Sequence, residues 1–222
     1  MKTVVLFSGG LDSSTILAMV KNRGDELFPL TVRYGQRHDI EIQQARRQLE
    51  TYGLLDNARE IVLDLSFLSV TSLINKTRVV PDVESAGIPS TYVPSRNIIF
   101  LSIASAWAEQ IEADSIAIGV NSVDYSGYPD CRPEFIDSFN RSIILGTKRG
   151  IEGHLSIEAP LQHLSKGEII KIGIENGVDY GLTHSCYNPT ESGLSCGVCD
   201  SCRLRLEGFR DAGISDPLSY AL

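Results

Sequence analysis

Short apolar runs alternate along this chain with stretches whose apolar positions recur every three to four residues. Continuous apolar runs fit buried strands, and a spacing near 3.6 fits helices. The pattern predicts strands at 3–7, 27–33, 60–65, 115–120 and 155–158. Helices are predicted at 11–21, 38–52, 97–113, 133–148 and 165–176. Strand and helix in turn imply an α/β fold, a mostly parallel sheet with helices on both faces. Ligands of such sheets gather outside the carboxyl ends of the strands. Residues 77–94 hold three prolines and a glycine and read as a surface loop or lid. Beyond about residue 179 the character changes. The expectation is a main domain at 1–180 and a segment at 181–222 packed on it.

Composition narrows the partners more than the fold. The 222 residues are 42% hydrophobic and 22% charged, as in an ordinary globular protein. The net charge is −8 and no block of Lys or Arg appears, which disfavours tight binding to nucleic acid. No apolar run approaches the ~20 residues of a membrane span, and the apolar start is too short for a signal peptide. A cytoplasmic address is therefore expected.

The first strand runs into Phe7-Ser8-Gly9-Gly10-Leu11-Asp12-Ser13-Ser14-Thr15, and Ile16 and Leu17 carry the following helix onward. Adjacent glycines permit a positive φ and a close backbone approach to a ligand. A helix start offers free N–H groups and partial positive charge to an anion. The Ser8 and Ser13 hydroxyls can add hydrogen bonds to phosphate oxygens. Neither the lysine-bearing phosphate loop nor the dinucleotide glycine motif is present. Asp12 sits awkwardly: a carboxylate suits a helix start but repels pyrophosphate. A magnesium ion accompanying ATP would reconcile the two.

Cys186, Cys196, Cys199 and Cys202 fall within seventeen residues. Such crowding in a cytosolic chain argues for metal rather than disulfides. A closed four-thiolate set suits structural zinc better than an iron–sulfur cluster or free thiols, and leaves no open position for catalysis. Cys131 stands apart from this set.

The Ser-Gly-Gly-Leu-Asp-Ser stretch resembles the PP-loop of the ATP pyrophosphatases. That likeness implies a Rossmann-like, adenine nucleotide alpha hydrolase-like fold whose loop grips the pyrophosphate end of ATP. Further segments narrow it. They are Tyr34-Gly35-Gln36-Arg37-His38, Tyr92-Val93-Pro94-Ser95-Arg96-Asn97, the run from Asp124 to Phe135, Ser185-Cys186-Tyr187, and the cysteine tail. Together, and nearly end to end, they resemble the 7-cyano-7-deazaguanine synthases, the QueC family. Two positions depart: Arg33 stands where the family usually has an acid, and Ser95 where it usually has glycine.

The resemblance implies an ATP-dependent carbon–nitrogen ligase of queuosine biosynthesis. It would convert 7-carboxy-7-deazaguanine and ammonia to the nitrile through adenylated carboxylate and amide. Ser8, Gly9, Gly10 and Ser13 would hold pyrophosphate, with Ser8, Asp12, Ser13 and Lys166 as the catalytic set. Arg96 and Asn97 would lie near the nucleotide or the substrate. Around the purine-like substrate the resemblance points to Asp124, Tyr125, Tyr128, Asp130, Arg132, Glu134 and Phe135, three rings for stacking and acids for the guanine-type edge. His38, His154, His163 and His184 carry no individual claim. The rival readings are a tRNA-modifying PP-loop enzyme, a PP-loop amidotransferase-type synthetase and a nucleotide-binding sensor. A homodimer through 97–113 and the tail is a further expectation.

Overall fold

The computed structural model describes residues 1–37, 40–81, 87–121 and 127–221. Five strands form one parallel sheet: β1 (Lys2–Leu6), β2 (Glu26–Arg33), β3 (Arg59–Val62), β4 (Ser115–Ala117) and β5 (Ser156–Glu158). Their order is β3-β2-β1-β4-β5. The chain winds outward from β1 in one direction, then crosses back to place β4 on its other side. β1 therefore lies at the switch point, where open α/β sheets bind ligands.

Alternation along β1 feeds two cores. Val4 and Leu6 join Leu101, Ala104 and Ala108 of α3 (Arg96–Gln110) on one face. Val5 and Phe7 join Ile16 and Leu17 of α1 (Leu11–Asn22) and Ile169 and Ile170 of α6 (Lys166–Glu175) on the other. Successive side chains of a strand point to opposite faces, so a continuous apolar run must be covered twice. That requirement produces the helical layers.

The remaining helices are α2 (Ile40–Thr51), α4 (Pro133–Gly146), α5 (Lys148–Ile151) and α7 (Asp200–Ala212). The helix expected at 133–148 is broken at Thr147, whose backbone is extended and whose side chain accepts from Gly150 N. The strand expected at 115–120 pairs only through Ala117, and Ile118–Val120 turn to line a cavity. Helix α7 lies in a segment where the pattern predicts no element. Its Phe209 enters the core of α1 and α6. The loop at 77–94 is anchored where it is described, with Val80, Thr91 and Val93 buried.

Candidate active site

The loop after β1 is fixed from two sides. Gly9 has φ +82°, and a Cβ there would lie 2.7 Å from Ala45 N of α2. No side chain other than hydrogen fits. Its carbonyl accepts from Gln48 Nε2 at 3.0 Å and from His184 N at 3.1 Å. Gln48 also reaches the Leu182 carbonyl at 3.1 Å, and Ser14 Oγ donates to its Oε1 at 2.7 Å. One buried amide thus ties loop, α1 and tail together.

The loop's hydroxyls converge. Ser8 Oγ lies 3.2 Å from Ser13 Oγ and 3.3 Å from Gly10 N. Gly10 caps α1 without any side-chain hydrogen bond. Leu11 N instead donates to Ser185 Oγ at 3.4 Å, a contact across 174 residues. Loosely capped N–H groups at a helix start are an anion site.

Asp12 is paired rather than bare. Lys166 Nζ stands 2.9 Å from both of its carboxylate oxygens, and Asn121 Nδ2 lies 3.3 Å away. The lysine is partly buried, with α7 guiding it: a Cβ on Gly208 would meet Lys166 Cγ at 2.6 Å. A neutralised Asp12 removes much of the repulsion toward a phosphate chain.

The cavity beside this loop runs from Ser8, Gly10, Asp12 and Ser13 across the strand ends to Arg96 and Asn97 at the start of α3. Tyr34, Phe100, Tyr128 and Tyr187 supply its aromatic walls. Burial by itself would lower the Arg96 pKa, but the Tyr34, Cys131 and Tyr187 groups around it hold it above its ordinary value. It stays a cation in a low-dielectric wall, suited to a carboxylate or phosphate. Asn97 is fastened to its surroundings, N to Asp130 Oδ2 at 2.9 Å and Nδ2 to Cys131 Sγ at 3.2 Å. Ser95, which precedes this pair, has φ +58° and ψ +21°. The family's usual glycine suits that left-handed geometry better.

The four tail cysteines come together. Their sulfurs lie within 4.8 Å of one another, with Cys186 to Cys199 at 4.0 Å and Cys196 to Cys202 at 3.9 Å. A tetrahedral thiolate site with bonds of about 2.3 Å has edges of about 3.8 Å, so the set fits such an ion. Backbone N–H groups of Asn188 and Cys196 each donate to Cys186 Sγ at 3.3 Å. These cysteines can hold a metal ion, and they adjoin the cavity: Ser201 Oγ donates to the Ser185 carbonyl at 2.5 Å.

The loop after β1 and the paired Asp12 lie on one cavity, with the four-cysteine cluster beside it. A model described as Queuosine biosynthesis protein QueC matches residues 2–213. The chain belongs to the QueC family. It is 53% identical over 220 residues to the 7-cyano-7-deazaguanine synthase of Pseudomonas aeruginosa (strain LESB58), covering 99% of this chain and 98% of that one. The corresponding synthase of Geobacter metallireducens is 50% identical over 224 residues, covering 99% and 93%. Among solved structures, NMN synthetase from Francisella tularensis aligns with TM-score 0.54 at 14% identity, over 96% of this chain and 78% of that one. A 4-thiouridine synthetase in complex with RNA and ATP gives 0.53 at 18%, over 96% and 50%. At those identities the likeness concerns the fold, which is of the PP-loop, adenine nucleotide alpha hydrolase-like kind.

Not every residue expected at the QueC site reaches the cavity. Phe7, Ser8, Gly10, Leu11, Asp12 and Ser13 line it, whereas Gly9 wedges against α2. Ser14, Thr15, Ile16 and Leu17 are buried within α1. Thr15 Oγ1 bonds Tyr180 OH at 2.7 Å. Tyr128 lines the cavity, but Asp130 is turned to the start of α3. Arg132, Glu134 and Phe135 border a separate surface hollow with His163. Pro133 opens α4 there, and the helix carries its first turn away from the cavity. Asp124 and Tyr125, like His38, lie outside the described residues. Sequence reasoning had not assigned roles to Gln36, Glu41, Ser185, Tyr187 and Ser201, which do line the cavity. Tyr187 and Ser185 flank Cys186, and that adjacency was the available signal. Among the described residues no helix is long and apolar enough to cross a membrane.

Proposed function

We propose that the protein is a 7-cyano-7-deazaguanine synthase, joining ammonia to 7-carboxy-7-deazaguanine at the expense of two ATP. The observation that carries this reading is one cavity with an anion-binding helix start at one end and a cation among aromatic rings at the other. The first end suits the β- and γ-phosphates; the second suits a flat heterocycle bearing a carboxylate.

The chemistry follows from that layout. A carboxylate oxygen is a poor leaving group, so it attacks the α-phosphorus and expels pyrophosphate, giving an acyl-adenylate. Ser8, Ser13 and the N–H groups at Gly10 and Leu11 hold the departing pyrophosphate. Lys166 positions Asp12 and screens its charge. Ammonia displaces AMP to give the amide. The amide oxygen then undergoes the same activation, and loss of the second AMP leaves the nitrile. The protein's share is orientation and charge stabilisation.

Magnesium bound with ATP would neutralise part of the phosphate charge, with Asp12 as the nearest carboxylate of the loop. Zinc on Cys186, Cys196, Cys199 and Cys202 would brace the tail without entering the reaction. We place the enzyme in the cytoplasm as a homodimer that acts on small molecules rather than nucleic acid.

Mass spectrometry of an incubation with 7-carboxy-7-deazaguanine, ammonium, magnesium and ATP tests it. Nitrile with AMP and pyrophosphate is the expected result. Nitrile with ADP would overturn the adenylation route. No product and no ATP cleavage, from folded protein, would overturn the assignment.

A further inference from the structure

Amide and nitrile formation release protons that the reaction above leaves without a destination. When ammonia's lone pair forms the C–N bond, the acyl oxygen leaves with AMP and the nitrogen sheds one proton. When the adenylated amide loses its second AMP, the C–O electron pair leaves with phosphate and the nitrogen sheds two more. Each transfer needs an acceptor beside the reacting carbon.

Among the described residues, Asp12 and Glu41 are the carboxylates that line the cavity. Asp12 is taken by Lys166 and Asn121. Asp130 is turned to the α3 start and accepts from Asn97 N. Glu41 is different. It stands in the first turn of α2, partly buried, and makes no hydrogen bond among the described residues. Ile42 and Ala45 of the same helix are buried, which fixes the backbone that presents Glu41 to the cavity. A carboxylate on the cavity wall with no protein donor among the described residues is open to a ligand or a transferred proton.

We propose that Glu41 is the catalytic base that takes the protons shed by the incoming nitrogen, a role that rests on the synthase reading above. Arg96 lies within electrostatic reach of Glu41, so a substrate carboxylate held by Arg96 brings its carbon near this acceptor. The groups facing the pair are Tyr34 after β2, Cys131 before α4 and Tyr187 in the tail. Burial raises the Glu41 carboxyl to about 7, against the lowering influence of Arg96. Burial likewise raises the Tyr34 phenol, which stays neutral. A base poised near the working pH can accept a proton and return it to water in each round.

The test compares wild type, Glu41→Gln and Glu41→Asp in three assays. Adenylation of the carboxylate releases no proton from nitrogen, so pyrophosphate–ATP exchange by Glu41→Gln should stay within about threefold of wild type. Hydroxylamine, a less basic nucleophile than ammonia, should still trap the acyl-adenylate. Nitrile formation from the purified amide and ATP should fall by about 100-fold or more. Its wild-type rate should rise with pH through a limb near 7, lost in Glu41→Gln and retained at lower rate in Glu41→Asp. Equal loss of exchange and amide conversion through a higher KM, with the limb intact, would overturn the proposal and make Glu41 a substrate-binding group. Absence of exchange in the wild-type protein would overturn the adenylation reading itself, and this proposal with it.

Discussion

Lys166 meets Asp12 across 154 residues, its Nζ 2.9 Å from each carboxylate oxygen. The pair joins the start of α1 to the start of α6, and both side chains are largely sheltered from water. Replacing Lys166 with Met should leave Asp12 facing the phosphates uncompensated. We expect a stability loss of about 1–2 kcal/mol, between the values for exposed and buried pairs, and at least a tenfold fall in pyrophosphate release. Asp12→Asn combined with Lys166→Met should recover most of the stability but little of the activity. Urea titration and a pyrophosphate-release assay of the single and double variants measure both.

Ser95 adopts φ +58° just before Arg96. A left-handed conformation costs an L-residue about 1–2 kcal/mol, and glycine's greater freedom when unfolded offsets part of that gain. Ser95→Gly should therefore raise stability by about 0.5–1 kcal/mol. Its hydrogen bond from Ser95 N to Tyr92 OH, 3.1 Å, uses the backbone and survives the change. A shifted urea midpoint with an unchanged slope is the expected reading; a lower midpoint would contradict the backbone argument.

The cysteine cluster and the loop after β1 meet through Ser185 and Ser201. Stripping metal with a chelator should lower Tm by about 10 °C, the equivalent of a few kcal/mol in a chain this long. It should also weaken ATP binding, because Ser185 leaves Leu11 N. Ser201→Ala separates the effects: metal content should be unchanged and Tm should hold within about 3 °C, a change of about 1 kcal/mol, while ATP affinity falls several-fold. Metal analysis, thermal unfolding and ATP titration report these outcomes independently.

Arg205 and Asp216 form a buried bidentate pair at 2.8 and 2.9 Å, and Arg205 also donates to Thr183 Oγ1 and the Tyr180 carbonyl. Burial would raise the Asp216 carboxyl, but hydrogen bonds from Arg205 and Tyr220 hold it below its ordinary value. A depressed folded-state pKa contributes stability that is fully present above the unfolded value of about 3.9 and fades as pH falls through the lower folded value. The pair should thus be intact at pH 5 and lost in stronger acid. Asp216→Asn should cost about 3–5 kcal/mol at neutral pH by stranding Arg205. It should also remove part of the acid-side slope of stability against pH in urea titrations.

The apolar runs by themselves determined the alternating elements and the parallel, doubly covered sheet, because the runs of the central strands had to be buried on both faces. Ser8 to Ser13 after the first strand and the cysteine spacing were likewise readable, since both are local patterns whose geometry is set by near neighbours. Helix α7 was hidden because its buried face is Cys202, Arg205, Gly208 and Phe209, in which a charged residue and a glycine break the apolar period. What tertiary structure alone decided are contacts between distant segments: Gly9 on Ala45, Lys166 on Asp12, Ser185 on Leu11, and Glu41 on the cavity. It also turned Arg132, Glu134 and Phe135 outward, where a helix opened at Pro133. A local pattern fixes which groups a segment carries; only packing fixes which way they face and what charge they meet.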